Sequence, residues 1–134
     1  MQHSVALVCL VGLLFPAGGQ NPKAQRITAA EAQSHVGETA TVCGKVVHAA
    51  VSKYKVTGRG QPVFLDLDKP EPDPTFIIVA WPEDGKPEQL GPSYMEKQVC
   101  VTGKIIKGPA VPQIIATKPS QISIQSDENK AEKK

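Results

Sequence analysis

The stretches Thr41-Val-Cys-Gly-Lys-Val46 and Val99-Cys-Val-Thr-Gly-Lys-Ile105 decide the fold of this chain, because they repeat one pattern. Each places β-branched residues around a cysteine followed by Gly-Lys, and β-branched residues favour strands. The neighbouring valines share one strand phase, so Cys43 and Cys100 fall in the other phase, on the polar face. Directly opposed residues of antiparallel strands have Cα atoms about 4.5–5.5 Å apart, within reach of a disulfide. We therefore predict two adjacent strands bridged by a Cys43–Cys100 disulfide, with two inert buried thiols as the alternative.

The N-terminus has the pattern of a secretory signal peptide over residues 1–19. Val5–Phe15 is an apolar run too short to span a bilayer, and small residues follow it up to Gly19. We expect cleavage after about Gly19, a polar leader over 20–26, a secreted or periplasmic protein, and no membrane span in the mature chain. A buried N-terminal strand or helix is the alternative. An oxidising compartment agrees with the predicted disulfide, which stabilises by about 4 kcal/mol in the chain-entropy model.

The remaining chain has room for one domain over 27–125 and a charged tail over 126–134, which we expect to be disordered. The capping-box pattern of Thr28 and Glu31 predicts a short helix up to His35. Alternating apolar residues then predict five strands: 38–52, 63–67, 75–81, 97–107 and 113–117. Gly44 in the first strand predicts a bend or bulge. The acidic, Pro-rich link over 82–93 predicts a connection with at most one helical turn, near Tyr94. The fold class is therefore all-β.

Five short strands, a glycine bend in the first and a long link before the fourth are typical of the OB-fold. The sequence also resembles small secreted bacterial OB-fold domains, similar to those attached to extracellular nucleases. The resembling pieces are 27–32, 35–38, 42–46, 64–67, 99–105, 112–114 and 119–122. The resemblance implies a five-stranded Greek-key barrel closed by pairing of the first and fourth strands. It also implies nucleic-acid binding, by analogy between folds alone.

The charge distribution locates a candidate ligand surface. The net charge of +2 is too small for a dedicated polyanion binder, yet residues 45–59 hold four basic and no acidic residues. OB-folds bind oligonucleotides with the second and third strands and the loops 1–2 and 4–5. We expect both loops to converge at one end of the barrel. The predicted nucleic-acid-binding residues are Lys53, Tyr54, Lys55, Arg59, Phe64, Lys104 and Lys107. For Tyr54 and Phe64, packing under a loop or at the barrel end is the alternative.

The sequence contains no pattern that predicts a catalytic site, a metal site or a cofactor site. The histidines lack metal-ligand spacing, and Asp66 and Asp68 are interpreted as a solvated strand face rather than a cation site. We therefore expect a monomeric, non-enzymatic module. Its partner is single-stranded nucleic acid or, as the alternative, an envelope protein or small ligand bound by a structural module that does not bind nucleic acid.

Overall fold

The computed structural model describes residues 24–83 and 86–125 of the 134-residue chain. The strands are β1 (Gln25–Thr28), β2 (Thr39–Val51), β3 (Val63–Leu67), β4 (Phe76–Ala80), β5 (Gln98–Lys104), β6 (Ile106–Lys107), β7 (Pro112–Ala116) and β8 (Ile122–Ile124). The described helices are α1 (Pro87–Tyr94) and two short 3-10 helices, Ala30–His35 and Pro119–Gln121. The all-β prediction is therefore confirmed. The predicted signal peptide, residues 20–23 of the leader and the predicted tail lie outside the described residues.

The strands form one sheet with the hydrogen-bonding order β6-β7-β4-β3-β2-β5-β8, and β1 pairs with β2. The β4–β7 and β1–β2 pairs are parallel, and the other pairs are antiparallel. In this order the sheet is open and has eight strands, more than the five predicted. Only Ile105 separates β5 from β6, so a single chain segment pairs with β2 through β5 and with β7 through β6.

Strand β2 changes partner along its length. Residues 39–45 pair with β5 and residues 46–51 pair with β3, with a register shift between Val46 and His48. Gly44 lies at the crossing, where a Cβ atom would be 3.0 Å from Asp68 Oδ1 and 3.2 Å from Leu67 Cβ. The glycine therefore permits a close approach of the end of β3, and the bulge itself lies after Val46.

The core lies between the two parts of this sheet. Its fully buried side chains come from alternate positions of the strands, as the predicted phase requires: Val42, Val46, Val63, Leu65, Leu67, Phe76, Ile78, Val99, Val101, Ile105 and Ile114. Burying each of these side chains contributes about 1.5–3 kcal/mol before the entropy of ordering is subtracted. The inward phase predicted for Val42, Val46, Val99 and Val101 is confirmed.

Helix α1 is longer than the single helical turn predicted near Tyr94 in the connection over 82–93. Gly91 and Pro92 argue against a helix from sequence, because glycine costs backbone entropy and proline removes a hydrogen bond. The helix forms because its buried side packs on β2 and β3: Pro87, Gly91 and Tyr94 are all buried. A Cβ atom on Gly91 would lie 3.2 Å from Ala49 Cβ, so the glycine lets the helix approach the sheet closely. Tertiary packing here overrides local propensity.

The N-terminal segment also differs from its prediction. Gln25 and Arg26, assigned to the polar leader, lie in β1, and the following 3-10 helix starts at Ala30 rather than Thr28. The Glu31 backbone N–H donates to the Thr28 hydroxyl at 3.3 Å, as predicted. The Glu31 carboxylate, however, accepts from that same hydroxyl at 3.0 Å rather than from the backbone.

The predicted disulfide is confirmed. Cys43 and Cys100 lie directly opposite each other in the β2–β5 pair, and their sulfur atoms are bonded at 2.05 Å. The expectation that both cysteines lie on an open polar face is wrong for Cys100, which is 3% exposed. The Arg26 side chain of β1 lies on the two sulfur atoms.

Candidate functional site

An open groove of about 950 Å³ lies where the ends of three strands meet. The register aligns Val51 of β2 with Val63 of β3, Val63 with Ala80 of β4, and Ala80 with Ala116 of β7. The chain leaves the sheet at this end through three segments, and these line the groove: 55–60, 81–83 and 117–118. The sheet thus brings together residues that are far apart in sequence.

The loop between β2 and β3 carries the basic side of the groove on a closed turn. The Val56 N–H donates to the Gly60 carbonyl at 2.8 Å, and the Gly60 N–H donates to the Val56 carbonyl at 2.9 Å. Gly58 and Gly60 have φ angles of +81° and +82°, a region that glycine adopts without steric cost. These contacts hold Arg59 at the tip of a defined turn.

Arg59 and Trp81 form the central contact of the groove. The Arg59 guanidinium carbon lies 4.6 Å from the centroid of the Trp81 ring. The Trp81 backbone N–H donates to the Ala116 carbonyl at 3.0 Å, which anchors the tryptophan to β7. A cation over an indole face contributes about 0.5–1 kcal/mol at an exposed site. The half-buried indole therefore offers an aromatic surface whose present neighbour is an exposed cation.

Positive charge predominates around the indole. Lys55, Arg59 and Lys118 line the groove, and Glu83 is the one acidic residue among its described lining residues. A hydrogen bond holds the backbone at Lys118, because its N–H donates to Gln121 Oε1 at 3.1 Å. The groove thus combines an aromatic ring with cations. A ligand that carries both aromatic rings and phosphate groups binds to sites that offer both.

The structure places the predicted loop 1–2 residues in or beside the groove. Lys55 and Arg59 line it, whereas Lys53 and Tyr54 lie in the same loop without lining it. Tyr54 is 82% exposed, so the alternative that it packs under the loop is wrong. Phe64 is half-buried on β3, opposite Ala50 and Val79, and does not line the groove.

Lys104 and Lys107 lie elsewhere, and the expected convergence of the two loops at one end is wrong. Lys104 is opposite Thr39 at the start of β2, and Lys107 is opposite Pro112 at the start of β7. The groove is at the other end of β7, about 13 Å away at the usual rise of a strand. The parallel pairing of β4 and β7 fixes this separation, because both strands run towards the groove.

Sequence reasoning missed that Trp81 and Lys118 line the same groove as Arg59. Trp81 follows the last paired residue of β4, so its strand phase could not say which surface it joins. Lys118 follows β7, which the parallel pairing with β4 brings to the same end. The usable signal was positional: Trp81 comes directly after β4 and Lys118 comes two residues after β7, and both strands end at one edge.

Asp66 corrects another prediction. It was assigned to a solvated strand face, but it is 1% exposed and its Oδ2 lies 2.9 Å from Nδ1 of His48. Its Oδ1 has no hydrogen-bond partner among the described residues. Within residues 24–83 and 86–125, no group of three or more histidine, cysteine and acidic side chains is arranged to hold a metal ion. The pair therefore joins β2 to β3 and is not part of the groove.

No protein-family model matches the chain, and no curated protein matches it in sequence. Among solved structures, a proposed aspartyl-tRNA synthetase from Leishmania major Friedlin is similar with a TM-score of 0.46 and 14% identity, over 80% of this chain and 22% of that chain. The present chain thus spans 22% of that protein's length, and a similarity at this level indicates no ligand. No helix within the described part of the chain is long and apolar enough to cross a membrane.

Proposed function

We propose that this protein is an exported, non-enzymatic, monomeric OB-fold module that binds single-stranded nucleic acid in the groove beside Trp81. One observation carries the proposal: the Arg59 guanidinium over the Trp81 ring, with Lys55 and Lys118 in the same groove. Binding of single strands without base readout needs an aromatic ring for stacking and cations along the backbone path. The groove contains both: the Trp81 ring and three cationic side chains.

The OB-fold part of the proposal rests on strand order. The strands β2, β3, β4 and β7 are consecutive neighbours, and the continuous segment β5–β6 pairs with β2 at one end and with β7 at the other. The expected pairing of the first and fourth predicted strands is present as β2–β5, and the parallel pair β4–β7 joins the third predicted strand to the fifth, which supports a barrel-like arrangement. Strands β1 and β8 are not part of this arrangement: β1 pairs with β2, and β8 pairs with β5.

Export and the absence of catalysis have separate support. The Cys43–Cys100 bond is compatible with an oxidising compartment, and the signal pattern over residues 1–19 agrees with it. The described groove lining contains a single carboxylate, Glu83, and no histidine, whereas acid–base hydrolysis uses paired groups. A zymogram with single-stranded and duplex substrates tests this part: cleavage of the nucleic acid would contradict it.

Fluorescence anisotropy with labelled single-stranded DNA, single-stranded RNA and duplex DNA over a salt series tests binding. Three groove cations predict that log K falls against log salt with a slope of about −2, since each neutralised phosphate of a single strand contributes about −0.7. Lys55→Glu should weaken binding and reduce the slope by about one phosphate. The matched control is Lys69→Glu, an exposed lysine in the turn after β3 that does not line the groove.

Two outcomes would reject the proposal. The first is no binding of any single strand at low salt, which would favour the alternative of an envelope protein or small ligand as partner. The second is equal weakening by Lys55→Glu and Lys69→Glu, which would indicate non-specific attraction rather than a groove. Lys104→Glu and Lys107→Glu tell whether the far end of β7 also contacts the strand.

A further inference from the structure

The Arg26 guanidinium lies across the disulfide. Its Nε donates to Cys43 Sγ at 3.2 Å, and its Nη2 donates to Cys100 Sγ at 3.0 Å. Nη2 also donates to Gln125 Oε1 at 2.8 Å, which holds the side chain across the strands from β1 to the residue after β8. Both sulfur atoms therefore have the same cation as a hydrogen-bond donor.

The two cysteines differ in exposure. Cys100 is 3% exposed, whereas Cys43 is only half-buried, although they are directly opposite each other. Thiol–disulfide exchange begins with attack of a thiolate on one sulfur, and access decides which sulfur is attacked. The greater exposure of residue Cys43 makes its sulfur the expected point of attack, with Cys100 as the leaving sulfur.

The charge of Arg26 is free to act on that leaving sulfur. Among the described residues no carboxylate forms an ion pair with Arg26, and its remaining described partner is the neutral Gln125 amide. A nearby arginine favours the thiolate form of a cysteine, and a better-stabilised thiolate leaves faster. The guanidinium at 3.0 Å from Cys100 Sγ is placed to receive that negative charge.

We propose that Cys43 is a site of thiol exchange for low-molecular-weight thiols, with Arg26 stabilising the departing Cys100 thiolate. In the first step the thiolate RS⁻ forms a bond to Cys43 Sγ, the Cys43–Cys100 bond breaks, and its electron pair leaves on Cys100 Sγ. A second thiolate attacks the RS sulfur of the mixed disulfide and releases the Cys43 thiolate. The products are RSSR and, after protonation, two protein thiols, so the two electrons come from the two added thiols. The step is independent of the groove at Trp81.

The test is the reaction of the native, oxidised protein with glutathione, followed by acid quenching, mass spectrometry of the intact chain and peptide mapping. We expect a rate that rises linearly with thiol concentration and a first adduct on Cys43. Arg26→Met should slow the reaction about tenfold, the effect of losing one charge-assisted hydrogen bond. Arg26→Lys, which keeps the charge, should recover part of the rate.

Gln125→Ala is the matched control, because it removes an Arg26 contact without removing the charge. It should change the rate less than twofold. Thermal unfolding of each oxidised variant shows whether it remains folded at the reaction temperature. Four results would overturn the proposal: a rate independent of thiol concentration, a first adduct on Cys100, a faster reaction in Arg26→Met, or equal slowing by Gln125→Ala. A faster Arg26→Met would show that the arginine is a shield.

Discussion

The two arginines of the chain lie in regions of opposite character. Arg26 lies on a face made of paired strands, and its guanidinium donates to two disulfide sulfurs and one amide of the chain itself. Arg59 lies at the tip of a loop, over the Trp81 ring in an open groove. The first guanidinium is used within the fold, and the second remains available to a ligand.

Because of this difference, the strand face and the groove should respond differently to substitution. On the strand face, covalent and hydrogen-bonded contacts join β1, β2, β5 and the segment after β8, so substitutions there should change stability. In the groove, exposed cations surround one ring, so substitutions there should change binding and leave stability nearly unchanged.

The largest effect on stability is expected from the disulfide. The double variant Cys43→Ser/Cys100→Ser should lose about 4 kcal/mol of unfolding free energy, because the bond closes a loop with a sequence separation of 57. Urea unfolding under non-reducing conditions measures the change. Oligonucleotide affinity at a temperature where the variant is folded should stay within about twofold. A loss below about 1 kcal/mol would show that the bridge is not a main support of the strand face.

The His48–Asp66 pair, whose carboxylate is buried and whose imidazole is partly exposed, should behave like the strand face. His48→Ala removes the hydrogen-bond donor of a carboxylate that is 1% exposed, which should cost about 3 kcal/mol. His35→Ala is the control, because the His35–Glu38 pair is similarly short, at 2.7 Å, but its carboxylate is exposed. That change should cost under about 1 kcal/mol. Equal costs would mean that burial does not govern these pairs.

The same substitution at both arginines compares the regions directly. Arg26→Met should lower the unfolding free energy by about 1–2 kcal/mol and leave oligonucleotide affinity unchanged. Arg59→Met should lower it by less than about 1 kcal/mol and weaken oligonucleotide binding about tenfold. Urea unfolding measures the change in stability of each variant, and anisotropy measures the change in its affinity for the oligonucleotide. If both variants lose mainly stability, the groove is structural.

The smallest effect concerns Tyr94 at alkaline pH. Burial against the sheet raises the pKa of its phenol above 10.0, so the folded state prefers the neutral phenol. The resulting contribution to stability is fully present below pH 10.0 and is lost as the pH rises through the folded-state pKa. The unfolding free energy of the wild type should therefore fall as the pH rises above 10.0, and that of Tyr94→Phe should fall less steeply. Urea unfolding of both proteins over this pH range measures the difference. Parallel curves would contradict the assignment.

The sequence predicted the strand face better than the groove. Strand phase put Cys43 and Cys100 on one face, and the repeated pattern predicted that their strands are neighbours, as the pairing of Cys43 with Cys100 confirms. The contact of Arg59 with Trp81 was not predictable, since it depends on where a loop closes and on which strand lies beside β4. The burial of Asp66 was not predictable for a similar reason. Its partner, His48, lies on the neighbouring strand, so the pair depends on the strand register.

Local sequence also misjudged the segments that pack on the sheet. Gln25 and Arg26 are polar, yet they form a strand because β2 offers an unpaired edge beyond its contact with β3. Gly91 and Pro92 disfavour a helix, yet α1 forms because the glycine fits against Ala49. In both cases the deciding interaction comes from a distant part of the chain.

The emission of Trp81, the one tryptophan of the chain, reports directly on the proposed groove. Titration with a short unlabelled single strand at low salt should quench this emission, because a base that stacks on the indole displaces Arg59. We predict that quenching saturates at the same oligonucleotide concentration as the anisotropy signal and disappears as salt is raised. Unchanged emission at saturating oligonucleotide would contradict stacking on Trp81, and with it the proposed function of the groove.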